Sequence, residues 1–184
     1  MEQMDSYDYE SVLTFWFKEL DPSDWFASDS ELDKTIEKRF GDMLTAAKKG
    51  ELVFWRKNMR GRLAEIIVLD QFARNIYKED GRAFEGDAVA LVLAQEAALM
   101  KEKENLSVEE RSFLYMPFMH SESLVIQETF SLTYFKEPGL EKRYRYAKEH
   151  HDTIKAFGRF PYRNKALGRI TTAEEQTYLE KAKS

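Results

Sequence analysis

Charged and amide side chains cluster in the block 70–75, sequence DQFARN, at the end of an apolar stretch. Asp70 and Arg74 are four residues apart, so on a helix they share a face and present a carboxylate beside a guanidinium. Asp70 is therefore a candidate orienting carboxylate for acid/base chemistry, and Arg74 and Asn75 are candidate ligand-binding residues. An ion pair that merely closes the end of a helix would have the same spacing.

Histidine changes charge near neutral pH, and this sequence has only three histidines. His120 and His150 are the candidate proton-transfer groups, and Glu122 is a second candidate orienting carboxylate. On one helix His120 and Glu122 would point about 200° apart and would not converge. A hydrogen-bonded, half-buried structural histidine is the alternative interpretation. No HxxxH or HxxE spacing occurs, so we predict no metal site.

The segment 158–169 is shaped by two glycines and one proline and carries Arg159, Arg163, Asn164 and Arg169. Bidentate guanidinium donors beside the start of a helix are what a phosphate or carboxylate requires, so these four residues are candidate ligand-binding residues. The alternative is that Arg159 and Arg163 pair with Asp70 or Glu122 and hold the loop to the core.

Common catalytic motifs are absent from the sequence. It has no Walker loop, no dinucleotide-binding fingerprint, no GxSxG elbow and no HExxH. We therefore predict no cofactor, and whether the protein is an enzyme stays open.

Length and composition predict a single helical domain, residues 1–184, with a hydrophobic core. The chain has no cysteine, and residues 1–10 resemble no targeting segment, so we expect a cytoplasmic protein. The longest apolar stretch, 88–100, is interrupted by two polar residues and is shorter than the roughly 20 residues that a membrane span needs. No membrane association is expected.

The net charge of −5 makes nucleic-acid binding an unfavoured function. The average hides an asymmetry, because residues 142–169 contain nine Lys or Arg and two acids, a charge of +7 that leaves −12 for the remainder. Tyrosines 144, 146 and 162 lie among these basic residues, so RNA binding here remains an alternative.

Apolar residues recur with a helical period, and no segment has the alternation of a hairpin strand. Capping boxes at Ser107-x-x-Glu110 and Thr172-x-x-Glu175 predict helix starts. The predicted helices cover 9–18, 30–49, 62–75, 84–100, a helix from Ser107, 118–135 with Pro117 at its start, 140–156 and a helix after Thr172. The predicted fold class is all-α, an orthogonal or hairpin-stacked multi-helix bundle.

Several blocks together resemble domain-of-unknown-function family 924, a group of bacterial proteins. They are Phe15-Trp16-Phe17, the run 69–75, Arg82-Ala83-Phe84 with Asp87, the run 113–118, His120-Ser121-Glu122, His150, the run 157–161, Arg163-Asn164, Leu167-Gly168-Arg169, and Thr172 with Glu174-Glu175. They span nearly the whole chain.

The resemblance implies a bundle of stacked helical hairpins similar to tetratricopeptide repeats, and it implies no substrate, reaction or cofactor. One position departs from the family pattern: Tyr162 stands where the family usually has a histidine before Arg163-Asn164. A mechanism that uses that imidazole is therefore not expected here.

Two functional hypotheses follow. In the first, the candidate residues surround a polar cleft that binds a small anionic metabolite and supports acid/base chemistry. In the second, the protein is a helical module that binds a protein or peptide, and the polar residues are internal struts. Struts should be saturated by one another, whereas a binding site should present arginine donors to solvent. The oligomeric state is not predicted.

Overall fold

The computed structural model describes residues 7–182, and all regular secondary structure in that range is helical. The all-α prediction is confirmed. The α-helices are α1 (Tyr9–Thr14), α2 (Ser30–Lys48), α3 (Met59–Ile67), α4 (Ala73–Ile76), α5 (Asp87–Leu99), α6 (Val108–Met119), α7 (Leu124–Ile126), α8 (Leu132–Tyr134), α9 (Glu141–Phe157) and α10 (Ala173–Ala182). Within residues 7–182, no helix combines the length and apolarity needed to cross a membrane.

Three helices contain or end in π-helical turns, in which the backbone bond spans five residues instead of four. These turns are Phe15–Glu19 after α1, Val68–Phe72 between α3 and α4, and Gln127–Ser131 between α7 and α8. Each therefore extends or joins α-helices that the periodicity of the sequence predicts as continuous.

The described residues form two compact units. The first contains those of 1–78 and 82–117, and the second those of 79–81 and 118–184. The single-domain organisation stays a prediction.

In the first unit, α2 confirms the amphipathic helix predicted for 30–49. Its N-cap Asp29 accepts hydrogen bonds from the backbone amides of Glu31 and Leu32. Ile36, Phe40 and three further apolar positions at helical spacing are buried, as the pattern predicts. Gly50 follows the helix with φ +74°, a conformation that glycine adopts without strain.

The helical run α3, Val68–Phe72 and α4 is the most buried part of the first unit. Every residue from 63 to 73 is buried, which confirms the prediction of burial on more than one side. Aromatic rings pack around it, including Phe72 against Trp16 at 5.7 Å and against Phe40 at 4.7 Å. The run therefore carries the DQFARN block on a rigid element.

The core of the second unit includes Phe118, Phe135, Leu140, Ala147 and Phe160, all at most 1% exposed. Helix α9 ends at Gly158, whose φ of +70° closes the helix. The predicted capping box at the start of α10 is confirmed, because Thr172 Oγ1 accepts from the Glu175 amide and Glu175 Oε2 accepts from the Thr172 amide.

The prediction that Pro117 starts a helix over 118–135 is wrong. Pro117 lies inside α6, which continues to Met119, and residues 120–123 are not helical. The next helix starts after Ser123, whose side chain caps the amide of Ile126. Side-chain hydrogen bonds from Gln127 and Arg163 to the carbonyls of residues 119–121 stabilise this break, and the sequence pattern does not reveal them.

Candidate functional site

His120 lies in the non-helical segment 120–123. Its own backbone carbonyl and those of its two neighbours each accept a hydrogen bond from a side chain. Gln127 Nε2 donates to Met119 O at 2.7 Å and to Ser121 O at 2.8 Å. Arg163 Nη2 donates to His120 O at 2.9 Å. His120 is therefore not on the helix that the sequence predicts over 118–135. The turn presents a half-buried imidazole from a tightly bonded backbone.

His150, on α9, lies beside His120, with 6.2 Å between the ring centroids. Its Nδ1 is 2.7 Å from the carbonyl oxygen of Tyr146. Since a carbonyl oxygen only accepts hydrogen bonds, Nδ1 carries the proton, and in the neutral ring Nε2 is the basic nitrogen. The Phe160 ring meets the His150 ring edge-on at 5.3 Å. Helix α9 thereby orients one histidine of a pair.

Arg163 is only 5% exposed, and its guanidinium lies 4.6 Å from the centre of the Phe160 ring. Contacts therefore run from His120 to His150, from His150 to Phe160, from Phe160 to Arg163 and back to His120. We call these four residues the histidine site. Tyr162 is 52% exposed and stacks on Phe160 at 5.5 Å.

Arg159 and Glu175 form a bidentate ion pair in the loop before α10. Arg159 Nε and Nη2 donate to the two carboxylate oxygens at 2.6 and 2.9 Å, and Nη2 also donates to Ile170 O. The hydrogen bonds from Arg159 and the Thr172 amide lower the pKa of Glu175 to about 2. Asn164 Nδ2 donates to the same carboxylate at 3.0 Å. Glu175 is thus an internal anion for these predicted ligand-binding residues.

Arg169 forms the second bidentate pair, donating to Glu122 at 2.9 and 3.0 Å. Burial acts to raise the pKa of Glu122, but hydrogen bonds from Arg169 and the Phe160 amide, with the charge of Arg163, hold it below its usual range. Glu122 is therefore ionised at neutral pH. Together Glu122, Arg159, Asn164, Arg169 and Glu175 make up what we call the loop network.

The candidate residues of the DQFARN block belong to the first unit. Asp70 is fully buried, and Arg74 Nη1 donates to its backbone carbonyl at 3.1 Å. Arg74 also makes a bidentate pair with Asp87 at 2.8 and 3.0 Å, and Asn75 donates to Asp33. The block is thus bonded to carboxylates of its own unit.

Sequence reasoning missed Gln127, Phe160 and the pairing roles of Glu175 and Asp87. The capping box at Thr172 marks Glu175 as a hydrogen-bonding residue, but not as the partner of Arg159 sixteen positions earlier. Gln127 is fully buried on the π-helical turn, and an isolated glutamine in a helical sequence carries no signal of that burial. Within residues 7–182, no group of three or more His, Asp or Glu side chains is arranged to hold a metal ion.

Comparison with known proteins gives a family match over residues 12–183, to a model described as "Bacterial protein of unknown function (DUF924)". The chain belongs to the DUF924 family. The resemblance identified from the sequence is confirmed. All candidate residues of this DUF924 chain lie within the matched range.

A solved structure of a protein of unknown function from Agrobacterium tumefaciens is similar to this DUF924 chain. The two are 35% identical with a TM-score of 0.87, and the match covers 94% of this chain and 97% of the other. No curated protein matches the sequence significantly. The similarity therefore supports the helical fold and names no activity.

Proposed function

We propose that this DUF924 chain binds a small phosphate- or carboxylate-bearing molecule at the histidine site and transfers a proton there. One observation carries the proposal: two half-buried histidines, thirty positions apart in sequence, lie 6.2 Å apart between ring centroids, beside the Arg163 guanidinium. Convergence of imidazoles with an adjacent fixed cation is a typical arrangement for acid/base chemistry on an anionic substrate.

The geometry fits an oxyanion in size and charge. One oxygen that accepts from two N–H donors at about 2.8 Å spans donors up to about 5.6 Å apart. The centroid separation of His120 and His150 is compatible with that span. An imidazolium and a guanidinium both favour an anion, and the basic Nε2 of His150 suits proton abstraction from a neutral group.

Fewer residues are proposed to contact the ligand than the sequence suggests. Arg159 and Arg169 donate in bidentate fashion to Glu175 and Glu122, so a ligand at either arginine would have to displace a carboxylate. A ligand at Arg74 would likewise have to displace the carboxylate of Asp87. We assign ligand contact to the half-buried rings of His120 and His150, the role of a fixed neighbouring cation to the buried Arg163, and the orientation of the loop to Glu122.

The test is a thermal-shift screen with inorganic phosphate, citrate and a panel of phosphorylated and carboxylated metabolites. A ligand at 100 times its Kd stabilises by about 2.7 kcal/mol, which for a chain of this length raises Tm by roughly 5–10 °C. The rise should shrink in His120→Gln and His150→Gln, because each variant removes one of the two imidazoles that would contact the anion.

The matched control is His151→Gln, the neighbour of His150 on α9. His151 Nδ1 contacts Asp152 Oδ1 at 2.9 Å, so it belongs to a separate surface pair. Ligand stabilisation should be unchanged in this variant. Equal loss in all three variants, or no stabilisation by any compound of the panel, would refute the proposal.

A second candidate function is a protein- or peptide-interaction module whose polar residues are structural. The bidentate pairing of Arg74, Arg159 and Arg169 favours it, as does the outer face of α5. On that face Val92 is 54% exposed and Leu99 is 83% exposed. Such a row suits the apolar face of a partner helix.

The second candidate is tested with a set of amphipathic helical peptides and fluorescence polarisation. Val92→Glu should weaken binding, while Val125→Glu, at a 68% exposed valine of the second unit, should not. Equal affinity of the parent protein and Val92→Glu would rule out α5 as the binding face.

A further inference from the structure

At the last residue of α6 and the two residues after it, side chains donate hydrogen bonds to three consecutive backbone carbonyls. Met119 O and Ser121 O each accept from Gln127 Nε2, and His120 O accepts from Arg163 Nη2. The carbonyls at a helix C-terminus lack partners within the helix and need some donor. Here two of the donors come from one buried amide, and the residue between them is His120.

The orientation of the Gln127 amide is determined by its surroundings. Both acceptors are carbonyl oxygens, so only the NH₂ group of Gln127 can face them. Gln127 is fully buried, and it opens the π-helical turn Gln127–Ser131, in which the amide of Leu132 donates to Gln127 O. Because Gln127 is buried and hydrogen-bonded in this way, its side chain has little rotational freedom.

We infer that Gln127 is a positioning residue that sets the place of the His120 ring. It holds the carbonyls on both sides of His120, while Arg163 holds the carbonyl of His120 itself. A functional group must be held within a fraction of an ångström of its working position, and supporting hydrogen bonds of this kind supply that restraint. The functional purpose of this positioning rests on the proposed function. The restraint that Gln127 places on the backbone around His120 can be measured without a ligand.

Ordinary helix capping is the competing explanation. A cap stabilises the whole fold and leaves the environment of His120 unchanged once the protein is folded. A positioning residue changes the ring's surroundings and the order of its backbone even in a fully folded variant. The two explanations are separated by measurements on His120 itself.

The experiment uses Gln127→Met, which keeps the side-chain volume and removes both donors, with Gln176→Met as the control. Gln176 lies on α10, and its exposed amide donates to Glu180. In the full-length protein without ligand, NMR should show increased backbone motion at residues 119–122 in Gln127→Met and a shifted His120 ring signal. The His151 signal, and all signals of Gln176→Met outside its own helix, should stay in place.

Gln127→Glu provides a second variant whose effect depends on pH. The ionised carboxylate faces two carbonyl oxygens and donates nothing, whereas the protonated acid donates one hydrogen bond. We therefore expect motion at 119–122 to be larger than in Gln127→Met at pH 8 and to fall as the pH is lowered. An unchanged His120 signal and unchanged backbone order in both folded variants would overturn the inference.

Phosphate titration distinguishes failure of the inference from failure of the proposed function. If phosphate binds the parent protein, its affinity should fall at least tenfold in Gln127→Met. If phosphate binds both proteins equally, the positioning role is refuted and the binding site stands. If neither phosphate nor any other compound of the panel binds either protein, but residues 119–122 become mobile in Gln127→Met, the positioning of His120 stands and anion binding is refuted.

Discussion

At the residue scale, two of the nine basic residues of the cationic segment 142–169 form bidentate ion pairs inside the protein. Arg159 and Arg169 point at Glu175 and Glu122, two acids that lie outside that segment. Arginine suits this role because its planar fork matches a carboxylate and stays charged when half buried. The loop network therefore neutralises the charges of Arg159 and Arg169 with carboxylates of the same unit.

Glu175→Gln should make the protein less stable at neutral pH and less sensitive to acid. The pKa of Glu175 is lowered from 4.5 to about 2, so the folded state favours its ionised form. That contribution is fully present above pH 4.5 and is lost as the pH falls towards 2. The urea midpoint of Glu175→Gln should be below that of the parent protein at pH 7, and the difference should narrow at pH 3.

The control for this prediction is Glu174→Gln, at the exposed neighbouring acid in the first turn of α10. Its urea midpoint should stay close to that of the parent protein at both pH values. A constant gap between Glu175→Gln and the parent protein from pH 7 to pH 3 would contradict the assigned pKa.

At the element scale, two glycines in helices differ in the space available for a side chain. A Cβ added to Gly61 in α3 would lie 2.0 Å from the carbonyl oxygen of Trp55, closer than any real contact. A Cβ on Gly41 in α2 would meet nothing nearer than Glu37 Cγ at 4.0 Å. Close approach of the backbone thus requires glycine at position 61, while position 41 has room for a side chain.

We expect Gly61→Ala to destabilise the protein by about 1–3 kcal/mol or more, because the backbone must shift to admit the methyl group. Gly41→Ala should stabilise by up to about 1 kcal/mol, since alanine loses less conformational entropy in a helix. Thermal unfolding should therefore move Tm in opposite directions, by roughly 2–4 °C per kcal/mol. A stabilising Gly61→Ala would show that α3 does not approach Trp55 this closely.

At the scale of the whole molecule, length and composition predict one domain of 184 residues. The described residues divide into two compact units, each with its own core and its own set of candidate residues. The DQFARN block lies in the first unit, and the histidine site and loop network lie in the second.

Calorimetry tests the single-domain prediction. A chain that folds as one domain should unfold in one transition whose calorimetric enthalpy equals its van't Hoff enthalpy. Gly61→Ala, in the first unit, should then lower the temperature of that single transition. Two resolved transitions, with Gly61→Ala affecting one and Glu175→Gln the other, would mean that the two units unfold independently.

Sequence alone determined where α2, α6 and α10 begin. The capping boxes at Ser107 and Thr172 and the buried positions of α2 depend on interactions within a few residues, which the order of amino acids reveals directly. The sequence also offered, as an alternative, that the loop arginines pair with internal carboxylates.

Only the tertiary structure decided which groups meet. Arg159 pairs with Glu175 and Arg169 with Glu122, the latter 47 positions apart, whereas the sequence suggested Asp70 or Glu122 as partners of Arg159. The sequence likewise did not predict where α6 ends or that His120 lies beside His150. Such contacts depend on how buried elements pack, because a carboxylate or carbonyl accepts from whichever donor the fold brings within about 3 Å.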